Sequence, residues 1–290
     1  AVQAASPNYD LATGVDKTIE LARQARDEGC DLIVFGETWL PGYPFHVWLG
    51  APAWSLKYSA RYYANSLSLD SAEFQRIAQA ARTLGIFIAL GYSERSGGSL
   101  YLGQCLIDDK GEMLWSRRKL KPTHVERTVF GEGYARDLIV SDTELGRVGA
   151  LCCWEHLQPL SKYAMYAQNE QVHIAAWPSF SLYRGGAYAL GAEVNNAASK
   201  VYAVEGSCFV LAPCATVSQA MLDELCDTED KKLLLKSGGG HAVVYGPDGS
   251  PLVAKLAPDE EGILYADIDL GAIGVAKNAA DPAGHYSRPD

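Results

Sequence analysis

Apolar residues along this chain keep two different periods, and the two alternate. Short, nearly continuous apolar runs at 31–35, 86–90, 102–107, 113–117, 147–152, 172–176 and 208–212 predict strands. Runs at 242–245 and 263–267 predict strands too, the last through alternation. Helical spacing appears between them at 15–28, 72–84, 160–168 and 187–204. In the first, Ile19, Leu21 and Ala22 lie on one side and charges on the other. Apolar strands separated by helices predict the α/β class, a sheet covered by helices on one or both faces. Gly246-Pro247-Asp248-Gly249 is turn chemistry expected to join two strands as a hairpin. The charged, leucine-spaced stretch 221–236 predicts a surface helix or helical pair. No low-complexity linker or strong repeat divides residues 1–290, so one α/β domain is expected.

Composition narrows the class of partner. Of the 290 residues, 48% are hydrophobic, enough for a core that needs no disulfide support. A net charge of −10 argues against nucleic acid and anionic membrane as partners. No apolar run reaches the roughly 18–20 residues of a membrane span, and no secretory signal is visible. The chain opens at Ala1 without methionine and stops at Ser287-Arg288-Pro289-Asp290, which reads as trimmed at both ends. Seven cysteines form an odd, scattered set with no CxxC pair and no zinc-ligand spacing, so no metal site is expected. Free thiols point to a reducing cytoplasm.

Three strand ends carry reactive side chains. The run 31–36 leads into Glu37, the run 112–118 into Lys119 (with Lys121 close by), and the run 146–151 into Cys152-Cys153-Trp154-Glu155-His156. Strand ends border the cleft where α/β enzymes keep their chemistry. Alternation sends the two cysteines to opposite faces, so only one of them can be a nucleophile. A carboxylate, an ammonium and a thiol together supply a base, a cation for developing negative charge and a nucleophile. A different arrangement would pair a cysteine with His173 or His241 in a papain-like dyad, which leaves Glu37 and Lys119 unexplained.

Phe35-Gly36-Glu37, the block from Arg118 to Arg127 and Cys153-Trp154-Glu155-His156 resemble, in order, the three signature blocks of the nitrilase (carbon-nitrogen hydrolase) superfamily. The resemblance runs over essentially the whole chain and is closest to the nitrilase branch. Trp39-Leu40-Pro41-Gly42-Tyr43-Pro44-Phe45-His46 and Leu151 to His156 add a likeness to bacterial arylacetonitrilases.

The resemblance implies a four-layer α-β-β-α sandwich that dimerises to αββα–αββα and extends into spiral or filamentous homo-oligomers. It makes Glu37 the general base, Lys119 rather than Lys121 the electrostatic stabiliser, and Cys153 rather than Cys152 the nucleophile. Glu126 becomes a second, positioning glutamate, against the plainer reading of a salt bridge to Arg127 or a neighbour. The implied reaction is hydrolysis of an organic nitrile by water to a carboxylic acid and ammonia, without cofactor, through a thioimidate and then a thioester. Tyr43, His124, Trp154, Trp177 and Pro178 are expected to line the substrate pocket, which favours an aryl or arylaliphatic nitrile. An amidase, a carbamoylase or a cyanide-degrading enzyme with the same triad is the alternative. The stretches 54–63 and 221–236 are candidate interface pieces.

Overall fold

The computed structural model describes residues 1–288. Two mixed sheets form its centre. The first runs Leu32–Val34, Phe87–Ser96, Ser99–Ile107, Met113–Arg118, with the short strand Phe130–Gly131 also paired to Ser99–Ile107. The second runs Val140–Thr143, Gly146–Cys152, Val172–Ala176, Phe209–Ala212, Val243–Tyr245. Period-two alternation gives each sheet two apolar faces. Phe87, Ala89, Leu106 and Trp115 of the first pack on Val148, Ala150, Ile174, Leu211 and Val244 of the second. The outer face of the first, with Ile33, Ile88, Leu90 and Ile107, is covered by helices Leu11–Asp27 and Ala72–Leu84. The outer face of the second, with Leu151, Ala175, Val210 and Val243, is covered by Pro159–Tyr166 and Ala192–Gly206. The result is the α-β-β-α order of layers, with the core in three slabs.

Boundaries follow caps and partners. Asp10 accepts from Thr13 N at 3.1 Å, so the first helix starts at Leu11 rather than 15. The helix expected from 187 begins at Ala192, after a 3₁₀ turn Tyr188–Leu190. The strand expected over 263–267 is only Gly262–Ile263, because its neighbour Val2–Ala4 is three residues long. The turn Gly246–Gly249 forms, but no second hairpin strand follows. Pro251, which has no N–H, makes a single bridge to Tyr245. The charged stretch is a helical pair, Gln219–Leu225 and Glu229–Leu234. It packs on the other candidate interface stretch: Trp54 Nε1 donates to Asp227 Oδ2 at 2.9 Å, and the Lys231 ammonium sits 3.6 Å from the Trp54 ring centre. Together they build a fourth apolar cluster above the strand ends, containing Tyr43, Phe45, Tyr58, Leu182, Met221 and Leu225.

Candidate active site

Glu37, Lys119 and Cys153 each follow a strand of the sandwich, and the packing of the two sheets brings those ends together. Glu37 is held by its neighbours' backbone: its N–H donates to the Trp177 carbonyl at 3.2 Å. That approach depends on Gly36, where a Cβ would lie 2.7 Å from the same oxygen. Cys153 starts the 3₁₀ helix Cys153–Leu157 with φ +47°, a left-handed conformation that a non-glycine residue holds only where its surroundings impose it. This sharp exit from the strand turns Cys153 toward a pocket while Cys152 stays buried.

Lys119 is the hub. Its fully buried ammonium donates to Glu37 Oε1 at 2.8 Å and to Glu126 Oε2 at 2.9 Å. Glu126 also accepts from Thr123 N at 2.6 Å and from the Tyr43 hydroxyl at 2.6 Å, so both of its oxygens are engaged. Glu37 differs: its Oε2 is buried and has no partner. Glu126 therefore bonds within the site, not to Arg127, whose Nε donates to the Pro122 carbonyl. Lys121 is exposed and paired with Glu132.

Electrostatics distinguish the groups further. Burial raises the Glu37 carboxyl to about 8, with Lys119 opposing and Glu126 reinforcing that rise. Burial alone would lower the Lys119 ammonium, but Glu126 and Glu37 hold it well above its ordinary value. Burial and Glu37 push the Cys153 thiol well up, with Lys119 opposing. The resting thiol is neutral, so a base must take its proton as it attacks.

Two residues earlier on the same strand, Arg117 makes a second buried ion pair. Its Nη1 and Nη2 donate to Glu155 Oε2 and Oε1 at 2.9 and 2.7 Å, its Nη1 also to Gln104 Oε1 at 2.6 Å, and its Nε to the Asp137 carbonyl at 2.8 Å. Glu155 accepts in addition from the backbone N–H of Cys152 and Leu120. This pair bolts the end of one sheet to the Cys153 turn of the other. The sequence assigns neither Arg117 nor Glu155 a role of its own, although the Arg-Arg-Lys and Cys-Trp-Glu blocks hold both residues in view.

The pocket above Cys153 is lined by Tyr43, Phe45, Trp48, Trp154, Pro178 and Phe180, with Glu126 at its floor. About 40 Å³ stands free, room for a few waters. Of the residues expected at a substrate pocket, Tyr43, Trp154 and Pro178 lie along this one. His124 stands behind the wall, stacked on Trp48 at 5.5 Å between ring centres. Trp177 does not reach the pocket. Alternation from Ala175 turns its indole to the helix-covered face, where Nε1 donates to Ser199 Oγ at 2.9 Å. Phe45, Trp48 and Phe180 were missed, since loop aromatics carry no periodic signal. Neither papain-like partner fits: His173 uses both ring nitrogens on His156 and Glu170, and His241 lies beside Phe180. Two larger hollows, about 620 and 710 Å³, lie against Cys30 and Leu270 and against Tyr63 and Tyr101, away from all three reactive groups.

Comparison with known proteins agrees with this arrangement. The carbon-nitrogen hydrolase family matches residues 1–278. The chain is 77% identical to an arylacetone-specific nitrilase of Alcaligenes faecalis, over 100% of this chain and 82% of that protein. It is 62% identical to a nitrilase of Pseudomonas syringae pv. syringae over 100% and 86%, and 45% identical to an arylacetonitrilase of Aspergillus niger over 97% and 83%. The fold is similar to that of the amidase from Nesterenkonia sp. AN1, with a TM-score of 0.69, 19% identity, and 98% and 94% of the two chains covered. With its three strand-end blocks assembled around one pocket, the chain belongs to the carbon-nitrogen hydrolase family, in its nitrilase branch near the arylacetonitrilases.

Proposed function

We infer that this chain is a nitrilase that hydrolyses an aryl or arylaliphatic nitrile to the carboxylic acid and ammonia. The observation that carries the reading is the unpartnered Oε2 of Glu37, in a carboxylate otherwise tied to Lys119 beside Cys153. A buried acceptor with no donor is a costly arrangement unless something arrives to use it. Here the arriving group is first the thiol proton of Cys153 and later a proton of water.

In the proposed reaction, Glu37 takes the proton as the Cys153 sulfur bonds to the nitrile carbon. One C–N π bond opens, and the nitrogen receives that proton to give a thioimidate. Lys119 and the N–H of Trp154 stabilise the charge developing at nitrogen. Water adds to the carbon, its proton passing through Glu37 to the nitrogen. Ammonia leaves, and a thioester remains. A second water releases the carboxylic acid and restores the thiol. Glu126, with both oxygens engaged, positions the Lys119 ammonium rather than moving protons. The wall of Tyr43, Phe45, Trp48, Trp154 and Phe180 suits an aromatic substituent.

The deciding experiment compares phenylacetonitrile, its amide and cyanide as substrates, with an intact-protein mass spectrum taken after brief nitrile exposure. An adduct on Cys153 and acid from the nitrile are expected. Turnover of the amide or cyanide alone would replace this reading with the amidase or cyanide-degrading alternative.

We further propose that residues 1–290 act as one unit in the cytoplasm and pair with a second copy, extending to larger spiral or filamentous assemblies. Exposed Leu160, Tyr163, Val201 and Val204 on the outer helices support a helix-to-helix pairing. Leu160→Asp should shift the light-scattering mass downward; an unchanged mass would exclude that face. No helix among the described residues is long and apolar enough to cross a membrane.

A further inference from the structure

Behind Cys153 runs a line of buried polar groups that the proposed reaction does not use. The 3₁₀ turn brings His156 back beneath the nucleophile, with Nδ1 2.7 Å from the Cys153 carbonyl oxygen. Its Nε2 lies 2.9 Å from Nε2 of His173, and Nδ1 of His173 lies 2.8 Å from Glu170 Oε1. The Tyr202 hydroxyl donates to Glu170 Oε2 at 2.6 Å. All four side chains are buried. Trp177 stacks on His156, and Tyr202 stacks on His173 with 3.7 Å between ring centres. Space for the carboxyl comes from the nucleophile strand: Gly149 is in register with His173, and a Cβ there would lie 2.2 Å from Glu170 Oε1.

Donor counting fixes the protons along this line. A carbonyl oxygen only accepts, so Nδ1 of His156 carries hydrogen. A neutral His156 then has a bare Nε2, so Nε2 of His173 carries hydrogen; with His173 held neutral by burial as well, its Nδ1 is bare. Glu170 must donate to that bare nitrogen, while Tyr202 donates to its other oxygen. The acid is therefore protonated. Burial agrees: it lowers both imidazoles far below their ordinary range and raises Glu170 to about 8. The other groups facing the line are the Arg117–Glu155 pair from the sheet side, Tyr166 from the helix Pro159–Tyr166 and the Cys208 thiol.

We propose that His156 is a positioning residue for Cys153. Its hydrogen bond to the Cys153 carbonyl holds the left-handed turn, and His173, neutral Glu170 and Tyr202 fix its ring in the Nδ1–H tautomer. This rests on Cys153 being the nucleophile, yet it can be read without nitrile turnover, from the rate at which iodoacetamide alkylates Cys153.

Four substitutions and one spectrum test it. His156→Leu removes the donor and should slow both alkylation and kcat by about 10- to 100-fold, with KM little changed, since misplacing a reacting atom by about 1 Å costs on the order of 100-fold. His156→Asn, whose amide N–H takes the place of Nδ1–H, should recover most of that loss. Glu170→Ala should fall as His156→Leu does, and Glu170→Gln, which can donate to His173 and accept from Tyr202, should restore it. The difference in melting temperature between wild type and Glu170→Gln should also change with pH. A carboxyl raised from 4.5 to about 8 contributes stability that is present below 4.5 and lost as pH rises toward 8. Nitrogen-15 NMR of the unaltered protein should show His156 protonated at Nδ1 only and His173 at Nε2 only.

An imidazolium signal for His173 would overturn the proton assignment. A His156→Asn protein as slow as His156→Leu would overturn the positioning role. If alkylation follows the predicted pattern while no nitrile is turned over, the nitrilase reading fails and this one stands.

Discussion

Lys119 and Arg117 leave the same strand end two residues apart, both fully buried and both bonded to glutamate, yet they do opposite things. Around Arg117 all three guanidinium nitrogens are engaged: four N–H···O bonds run to Glu155, Gln104 and the Asp137 carbonyl, and Glu155 takes two backbone N–H groups besides. Around Lys119 two carboxylates share one ammonium, and one carboxylate oxygen is left over. Burial raises Glu37, whereas the Arg117 guanidinium overcomes the same burial and holds Glu155 below its ordinary value. A saturated ion pair is a fastener. An unsaturated one is where an arriving group can bond.

The sharpest test of that contrast is at the thiol that the proposed reaction pairs with the leftover oxygen. Cys153→Ala should lose essentially all turnover, while Cys152→Ala keeps much of it; reversed activities would move the nucleophile. Next, Lys119→Ala should raise the barrier by about 3–4 kcal/mol, the loss of one preorganised donor, whereas Lys121→Ala should turn over nearly as wild type. Equal losses would show that a general positive field, not one ammonium, is at work.

Arg117→Ala should act on the other quantity. Leaving Glu155 buried without its cation should destabilise the fold by about 3–5 kcal/mol in urea titration. An unchanged midpoint would end the distinction between fastener and reactive cluster. Smaller still, Tyr43→Phe frees one oxygen of Glu126 and should cost about 1–3 kcal/mol, the range for a buried acceptor left unsatisfied, read mainly in kcat/KM.

The finest expected difference lies in pH. Glu37 must be ionised to accept a proton, so kcat/KM should fall as pH drops below about 8, an acid limb well above the ordinary carboxylate range. Glu155, held low by Arg117, should add no such limb. It should instead contribute stability that is present above 4.5 and lost as pH falls through its lowered value. An acid limb at ordinary carboxylate values would show Glu37 to be solvated during turnover.

How much of this was legible in the sequence depends on the range of the interaction. Glu37, Lys119 and Cys153 came into view because each follows a strand-like run, but their roles, and the choice of Lys119 over Lys121 and of Cys153 over Cys152, came from the family resemblance. The α/β class followed from the two alternating periods, and the layer order from the family resemblance. Glu155 was not readable as a partner of Arg117, since 38 residues and an inter-sheet contact separate them. Trp177 was placed in the wall because it follows a strand, although alternation from Ala175 already directs its indole outward. Phe45, Trp48 and Phe180 depend on how loops fold over the strand ends, which no local pattern encodes.

The left-handed backbone at Cys153 has an implication for evolution and engineering. Any side chain at φ +47° is strained, and glycine alone relieves it. Cys153→Gly should therefore melt higher than Cys153→Ala, with both expected to be inert. Random mutation screened only for thermal resistance would drift toward discarding Cys153, so a stabilisation campaign on this scaffold has to select for turnover at every round.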